Sequence, residues 1–401
     1  MKTLLLSTAL TVFASPVLAQ NTTVGNEHRP NEHTVACLEA PTRDCAFTAA
    51  LQTVIGEEFG IERAKVLIGV ARSMIDTGQV DQAKQTLMLA LDEARSVRLT
   101  LVTQEKITEI APLLARAGDV AAGLALVEEL QNESVKDTTL TEIAEEAIKS
   151  GQLADARVAL SQVTNRSKAF WRELSLLSRA PRSALAAVDL KELEAGVRAL
   201  ARVDQRYRGL VQLAVVADRK GDAAERNGYL SEADEMFSGV VGIGTRADVT
   251  AQRVRSMYDA GMDPAFVRTS YDLAILHGDR LREDAAKADF ATKIGAVEAG
   301  IGYLGSALDR LATFKEVDAK ASYLASLRTT SGQSDLAGQF RGVLSEVGQI
   351  QGAYERDIVR LSLLEGALGN ADIGLATNIV SAMEDDDNQA LALALMAPLL
   401  D

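Results

Sequence analysis

Residues 26–45 read NEHRPNEHTVACLEAPTRDC and hold the side chains of this chain best suited to chemistry. Two of the three histidines, His28 and His33, and both cysteines, Cys37 and Cys45, lie there, with Glu27 and Glu32 beside the histidines. A metal site, a redox pair or a structural staple could be made from them. Zinc would accept His28, His33 and Cys37, with Glu27 as a further ligand. However, seven residues separate Cys37 from Cys45, whereas paired zinc cysteines have about two to four between them. In an oxidising compartment such cysteines pair with each other, and Pro41 favours a turn in the loop they would close. A Cys37–Cys45 disulfide is therefore expected, with free thiols and a metal site as the alternatives. No metal or cofactor is expected.

Other stretches offer less. Glu133-Ser134 resembles the Glu-Ser dipeptide of soluble lytic transglycosylases, in which the Glu is a general acid held in an apolar cleft. The Gly-Leu-Met-Gln type motif that should follow closely is missing, and Gly209-Leu210-Val211-Gln212 falls far downstream inside an amphipathic stretch. LQNESV reads instead as a helix end and a polar connector. Gly239, Gly242 and Gly244 lack the preceding strand that a phosphate loop needs, so an inter-helix turn is expected. Glu384–Asp387 lacks the alternating ligands and central Gly of a calcium loop and reads as a solvated acidic loop. His277, beside Gly278, is expected to place a favourable charge at a helix C-terminus. No catalytic residue is expected.

The compartment is set by the opening, MKTLLLSTALTVFASPVLAQ. A basic Lys2, an apolar run and the small-residue site Val17-Leu18-Ala19 are the parts of a secretory signal, with cleavage expected after Ala19. Ser15-Pro16 ends the run too early for a spanning helix, which needs about 20 apolar residues. Export to a bacterial periplasm, without membrane insertion, is the expectation. The formal charge of −14 with no basic stripe argues against nucleic acid and anionic membranes as partners.

The elements that must carry these residues are helical. Hydrophobic residues make up 47% of the chain but aromatics only 4%, with seven prolines, a composition suited to closely packed helices. A glycine-polar turn between amphipathic stretches recurs at Gly78, Gly118, Gly151, Gly221, Gly261, Gly332 and Gly369, with weaker turns near Pro181 and Gly300–Gly302. The mean period is about 36 residues. Around the first turn, Leu67, Val70, Ala71 and Met74, then Val80, Ala83, Leu87 and Ala90, recur at helical spacing.

These residues resemble the tetratricopeptide repeat family. Gly78, Ala83, Leu87 and Ala90 look like the second half of such a repeat. Leu67, Val70, Ala71 and Met74 occupy the positions of its Trp, Leu, Gly and Tyr, and Arg95 stands where its closing proline would be. Gly151, Ala156 and Leu160 keep the pattern. In the Gly221 unit Leu230 and Ala233 fit, with Arg226 at the small position. The resemblance spans roughly residues 60–390 and implies stacked helix pairs with a long concave face for a peptide or protein.

The expected organisation is a signal peptide (1–19), a flexible leader (20–45) ending in the disulfide clasp, and an all-α solenoid (46–401). The solenoid would hold about nine antiparallel helix pairs, with a C-terminal helix capping the last repeat. The functional expectation is a non-enzymatic interaction scaffold of the cell envelope. The alternative is an enzyme or accessory acting on peptidoglycan or exopolysaccharide.

Overall fold

The residue after each turn donates its backbone N–H to a carbonyl five positions back: Gln79 to Met74, Asp119 to Leu114, Gln152 to Ala147 and Asp222 to Ala217. Met262 to Met257, Tyr303 to Glu298 and Asp372 to Ala367 repeat the bond. This closes the end of the first helix in these seven units and satisfies orphan carbonyls there. The motif needs a left-handed residue, and Gly221 supplies it with φ 86° and no Cβ to clash. Asp119, Asp222 and Asp372 then cap the second helix through their side chains, whereas Gln79 and Gln152 make no such bond.

A computed structural model describes residues 32–56, 60–186, 188–328 and 333–400. Among the described residues there are α-helices and short 3-10 turns and no strand. Gly60–Asp76 pairs with Val80–Ser96, Thr100–Arg116 with Val120–Val127, and Glu133–Lys149 with Leu153–Gln162. Arg166–Leu177 is followed by the one-turn Arg182–Leu185 and then by Leu190–Arg198, whose Gly196 meets Phe170. Val203–Lys220 pairs with Ala223–Met236, Ile243–Asp259 with Pro264–Gly278, and Asp284–Gly300 with Leu304–Asp309. Val317–Ser326 with Gln333–Val347 and Ala353–Gly369 with Ile373–Ser381 complete nine sequential pairs. The fold is an all-α, solenoid-like stack, and each junction falls where the sequence places a turn. Two details differ: the left-handed residue near Gly369 is Ala371 (φ 54°), and Gly332 lies outside the described residues.

The first helices of successive pairs pack on one another, while the second helices pack on first helices. The first helices therefore trace the shorter path and form the inner wall. Close approach is built from small residues. A Cβ at Gly123 would stand 2.6 Å from the carbonyl oxygen of Ala111. The core is one continuous cluster from Cys37 to Leu400.

The stack closes on itself. Helix Asp386–Met396 packs on both Arg43–Gly56 and Gly60–Asp76, so Arg43–Gly56 serves as its second helix and a tenth pair is assembled from both ends of the chain. The tip of the Leu391 side chain sits on Gly69, and a Cβ there would make it shift. Arg43 donates to the carbonyls of Ala397 (3.4 Å) and Leu400 (3.0 Å), and Lys65 Nζ lies 2.6 Å from Asn388 Oδ1. The expected cap on the last repeat is therefore also the seam to the first, because the summed curvature of the pairs brings the two ends together.

Two further expectations change. Residues 1–31 lie outside the described residues, but within the expected leader Glu32–Glu39 is helical and packs on Arg43–Gly56. Burying Thr34 and Cys37 there overrides the polar composition. The acidic loop is half-buried and tied down by hydrogen bonds rather than freely solvated. Asp357, fully buried, accepts from the backbone N–H groups of Glu384 (3.0 Å) and Asp385 (2.8 Å) and from Arg360 (2.6 Å). Arg356 and Arg360 both bind Glu384. Asp385 caps the closing helix through the Asn388 N–H.

Candidate functional site

The cationic and anionic side chains of the first helices interlock along the inner wall. Arg116 on Thr100–Arg116 pairs with Asp76 of the preceding first helix and faces Glu146 of the following one at 3.7 Å. Lys149 binds Glu146 at 2.6 Å. Glu145, one residue earlier, meets three cations: Arg179 at 3.1 Å, Arg172 at 3.3 Å and Lys149 at 3.9 Å. Further along, Arg208 pairs with Asp248, and Lys293 reaches Asp248 at 2.8 Å. Helical spacing explains the stripe, since residues 138, 142, 145 and 149 share one face of Glu133–Lys149.

Between Glu133–Lys149, Arg166–Leu177 and Val203–Lys220 lies a cleft of about 320 Å³. Ile148, Leu176 and Pro181 form its apolar part, and Glu145, Lys149, Arg179 and Arg219 its charged part. Arg219 is fixed by the carbonyls of Ala180 (2.9 Å) and Ala260 (3.1 Å). These groups stand near first-helix C-termini, where carbonyl ends favour cations. One turn before Glu145, burial raises the pKa of Glu142; Arg172 opposes the shift and Glu145 adds to it. Electrostatically, the cleft can attract an anion; its apolar lining suits an attached hydrocarbon group.

The residues singled out in the sequence are not brought together here. Cys37 and Cys45 are joined as a disulfide with their Cα atoms 5.6 Å apart, at the chain's N-terminal helices. His28 and Glu27 lie outside the described residues. Among the described residues, no group of three or more His, Cys, Asp or Glu is placed to hold a metal ion, and no helix is long and apolar enough to cross a membrane. Glu133 is 66% exposed and opens a helix capped by Asn132, so it starts the next helix rather than lying in the connector expected for LQNESV. Gly239 and Gly242 lie in the expected turn between helices, whereas Gly244 falls in the first turn of Ile243–Asp259.

His277 departs from its expectation. Its ring is buried 5.2 Å from that of Phe237, and its pKa is lowered by burial first and then by Arg280 and Arg246. It is a neutral packing residue rather than a helix-end charge.

The sequence reading missed the cleft because its residues are scattered over some 75 positions and joined only by stacking. It also missed a signal that was present. The fourth residue of most first helices is basic: Arg63, Lys136, Arg206, Arg246, Lys287, Lys320 and Arg356. Arg206, Arg246 and Arg356 each donate to the carbonyl six residues earlier, on Leu200, Val240 and Ile350. In these three units the basic residue ties the first helix to the connector before it.

No protein-family model matches this chain, and no curated protein matches it.

Proposed function

We propose that this chain is an exported, non-enzymatic interaction scaffold of the bacterial envelope, working in the periplasm and holding a protein or peptide against its inner wall. The observation that carries the reading is the unbroken inner wall itself, made of first helices packed side by side and closed through Lys65 and Asn388. Such a wall offers a long contact surface without a single reactive centre. Large side chains stand exposed on it, Tyr354 at 55% and Ile358 at 42%, on one stripe of Ala353–Gly369. The secretory pattern of residues 1–19 and the Cys37–Cys45 bond support an oxidising compartment. The stacked helix pairs support the tetratricopeptide-like part of this reading.

A photo-cross-linking residue at Thr138, on the inner wall, tests this in living cells, with the exposed Val158 on the second helix Leu153–Gln162 as control. A discrete cross-linked partner from Thr138 and none from Val158 is the expected result. Equal labelling from both positions, or none from Thr138, contradicts it. Export is tested on the same material by N-terminal sequencing, which should begin at Gln20.

A further inference from the structure

The closing helix Asp386–Met396 is held by two kinds of tie. The first is its seat. It packs on Arg43–Gly56 and Gly60–Asp76 on one side and on Ala353–Gly369 and Ile373–Ser381 on the other. Asn388, Ala390, Leu393, Ala394 and Met396 are fully buried there, and Gln389 donates to the Val380 carbonyl (3.1 Å). Lys65 and Arg43 complete the seat from the N-terminal side. None of these contacts requires that the helix belong to the same copy of the chain. The second tie is the connector, residues 382–385, and it does require that. Asp357 holds the backbone N–H groups of Glu384 and Asp385, and Arg356 and Arg360 hold the Glu384 carboxylate. A connector leaving in another direction gives these bonds up.

We propose that the seat is a docking surface for a second copy of this chain. Two copies exchange Asp386–Met396 reciprocally, each helix completing the other's ring, with residues 382–385 as the hinge and Glu384 as its lock. The seat identifies the occupant, because Asn388, Leu391 and the carbonyls of Ala397 and Leu400 already match Lys65, Gly69 and Arg43. An opened seam left unfilled would expose apolar side chains to water, and a second helix of the same sequence removes that cost. Exchange of an identical element is a low-cost route to a dimer. Four extended residues span about 14 Å, more than the roughly 8–10 Å between packed helix axes, so rings that meet at their seams can trade helices. Closure within one copy has the advantage of a high local concentration, so exchange grows as the protein is concentrated.

The test uses the full mature protein in two preparations, one spin-labelled at Gln52→Cys and the other at Leu399→Cys. They are mixed in equal amounts, incubated at increasing concentration and separated by size. Gln52 lies on Arg43–Gly56 and Leu399 just beyond the closing helix, both exposed. In an exchanged dimer the two labels flank one seam although they belong to different chains. The dimer fraction should therefore show, between chains, the same narrow distance that a doubly labelled single chain shows as a monomer, within roughly 30 Å. Glu384→Gln weakens the lock and should raise the dimer fraction several-fold at equal concentration. A misfolded variant cannot reproduce the narrow distance, so structural damage is not mistaken for exchange. Monomers only in both wild type and Glu384→Gln, a dimer without that distance, or a dimer fraction that Glu384→Gln does not raise would each overturn it. The scaffold reading does not depend on the outcome, since cross-linking from Thr138 tests it separately.

Discussion

Lys65 Nζ and Asn388 Oδ1 lie 2.6 Å apart although they are 323 positions apart in the sequence. Lys65 is on the first helix of the first sequential pair and Asn388 on the helix that closes the ring. Lys65 also lies over the Tyr354 ring, 5.6 Å from its centroid. Asn388 is fully buried, so its carbonyl has exchanged water for a single ammonium partner.

Removing that partner is predicted to loosen the seam. Hydrogen bonds to charged groups contribute about 1.5–3 kcal/mol, and Asn388→Ala should lower stability on that scale. In a stacked array, coupling runs mainly between neighbours. Hydrogen exchange should therefore rise in Arg43–Gly56, Gly60–Asp76 and Asp386–Met396 and stay unchanged in Val203–Lys220. A uniform rise across the chain would contradict closure by a local seam.

Glu384 gives the seam a pH dependence. Its pKa is lowered from 4.5 to about 2, chiefly by the hydrogen bond from Arg356 and then by that from Arg360. A carboxylate depressed in the folded state stabilises fully above its unfolded value and loses that contribution as pH falls from about 4.5 to about 2. The side chain is 39% exposed, so solvent and salt screen part of the effect. Thermal melts of Glu384→Gln should show a lower melting temperature than wild type at pH 7, with the gap shrinking as pH falls toward 2. A gap independent of pH would place the effect in packing instead.

The disulfide joins Glu32–Glu39 to Arg43–Gly56 across a sequence separation of eight. In the chain-entropy account so short a loop contributes about 2–3 kcal/mol. A Cys37→Ser/Cys45→Ser double variant should lose stability on that scale, with the loss concentrated at the helices around the seam. Unchanged melting with and without reductant would show that the bond does not constrain the fold.

At Gly123 the second helix Val120–Val127 lies close against the backbone of the first helix Thr100–Arg116. A Cβ there would meet the Ala111 carbonyl oxygen at 2.6 Å, and backbone cannot swing aside as a side-chain tip can. Gly123→Ala is predicted to cost about 1–3 kcal/mol by overpacking, despite the higher helix propensity of Ala. Denaturant titration measures it, and a stabilised variant would show that the two helices can separate freely.

Most of the sequential pairs were readable because their turns carry a local signal: glycine for the left-handed residue, and in several units an aspartate after it. Closure was not, because it depends on curvature accumulated over all the pairs, while Lys65 and Asn388 look ordinary in their own neighbourhoods. Glu384–Asp387 was read as solvated for a related reason, since Asp357, Arg356 and Arg360 lie on the preceding first helix. Glu32–Glu39 was read as leader because its two buried side chains, Thr34 and Cys37, are too few to mark a helix face.

The closed ring is tested most directly by the distance between spin labels at Gln52, exposed on Arg43–Gly56, and Leu399, exposed beyond the closing helix. Helices pack about 8–10 Å apart, so the closed ring predicts a narrow distribution within roughly 30 Å, allowing for the label arms. An open array of ten first helices at that spacing would put the ends about 70–90 Å apart, and a distance near that value would contradict the ring.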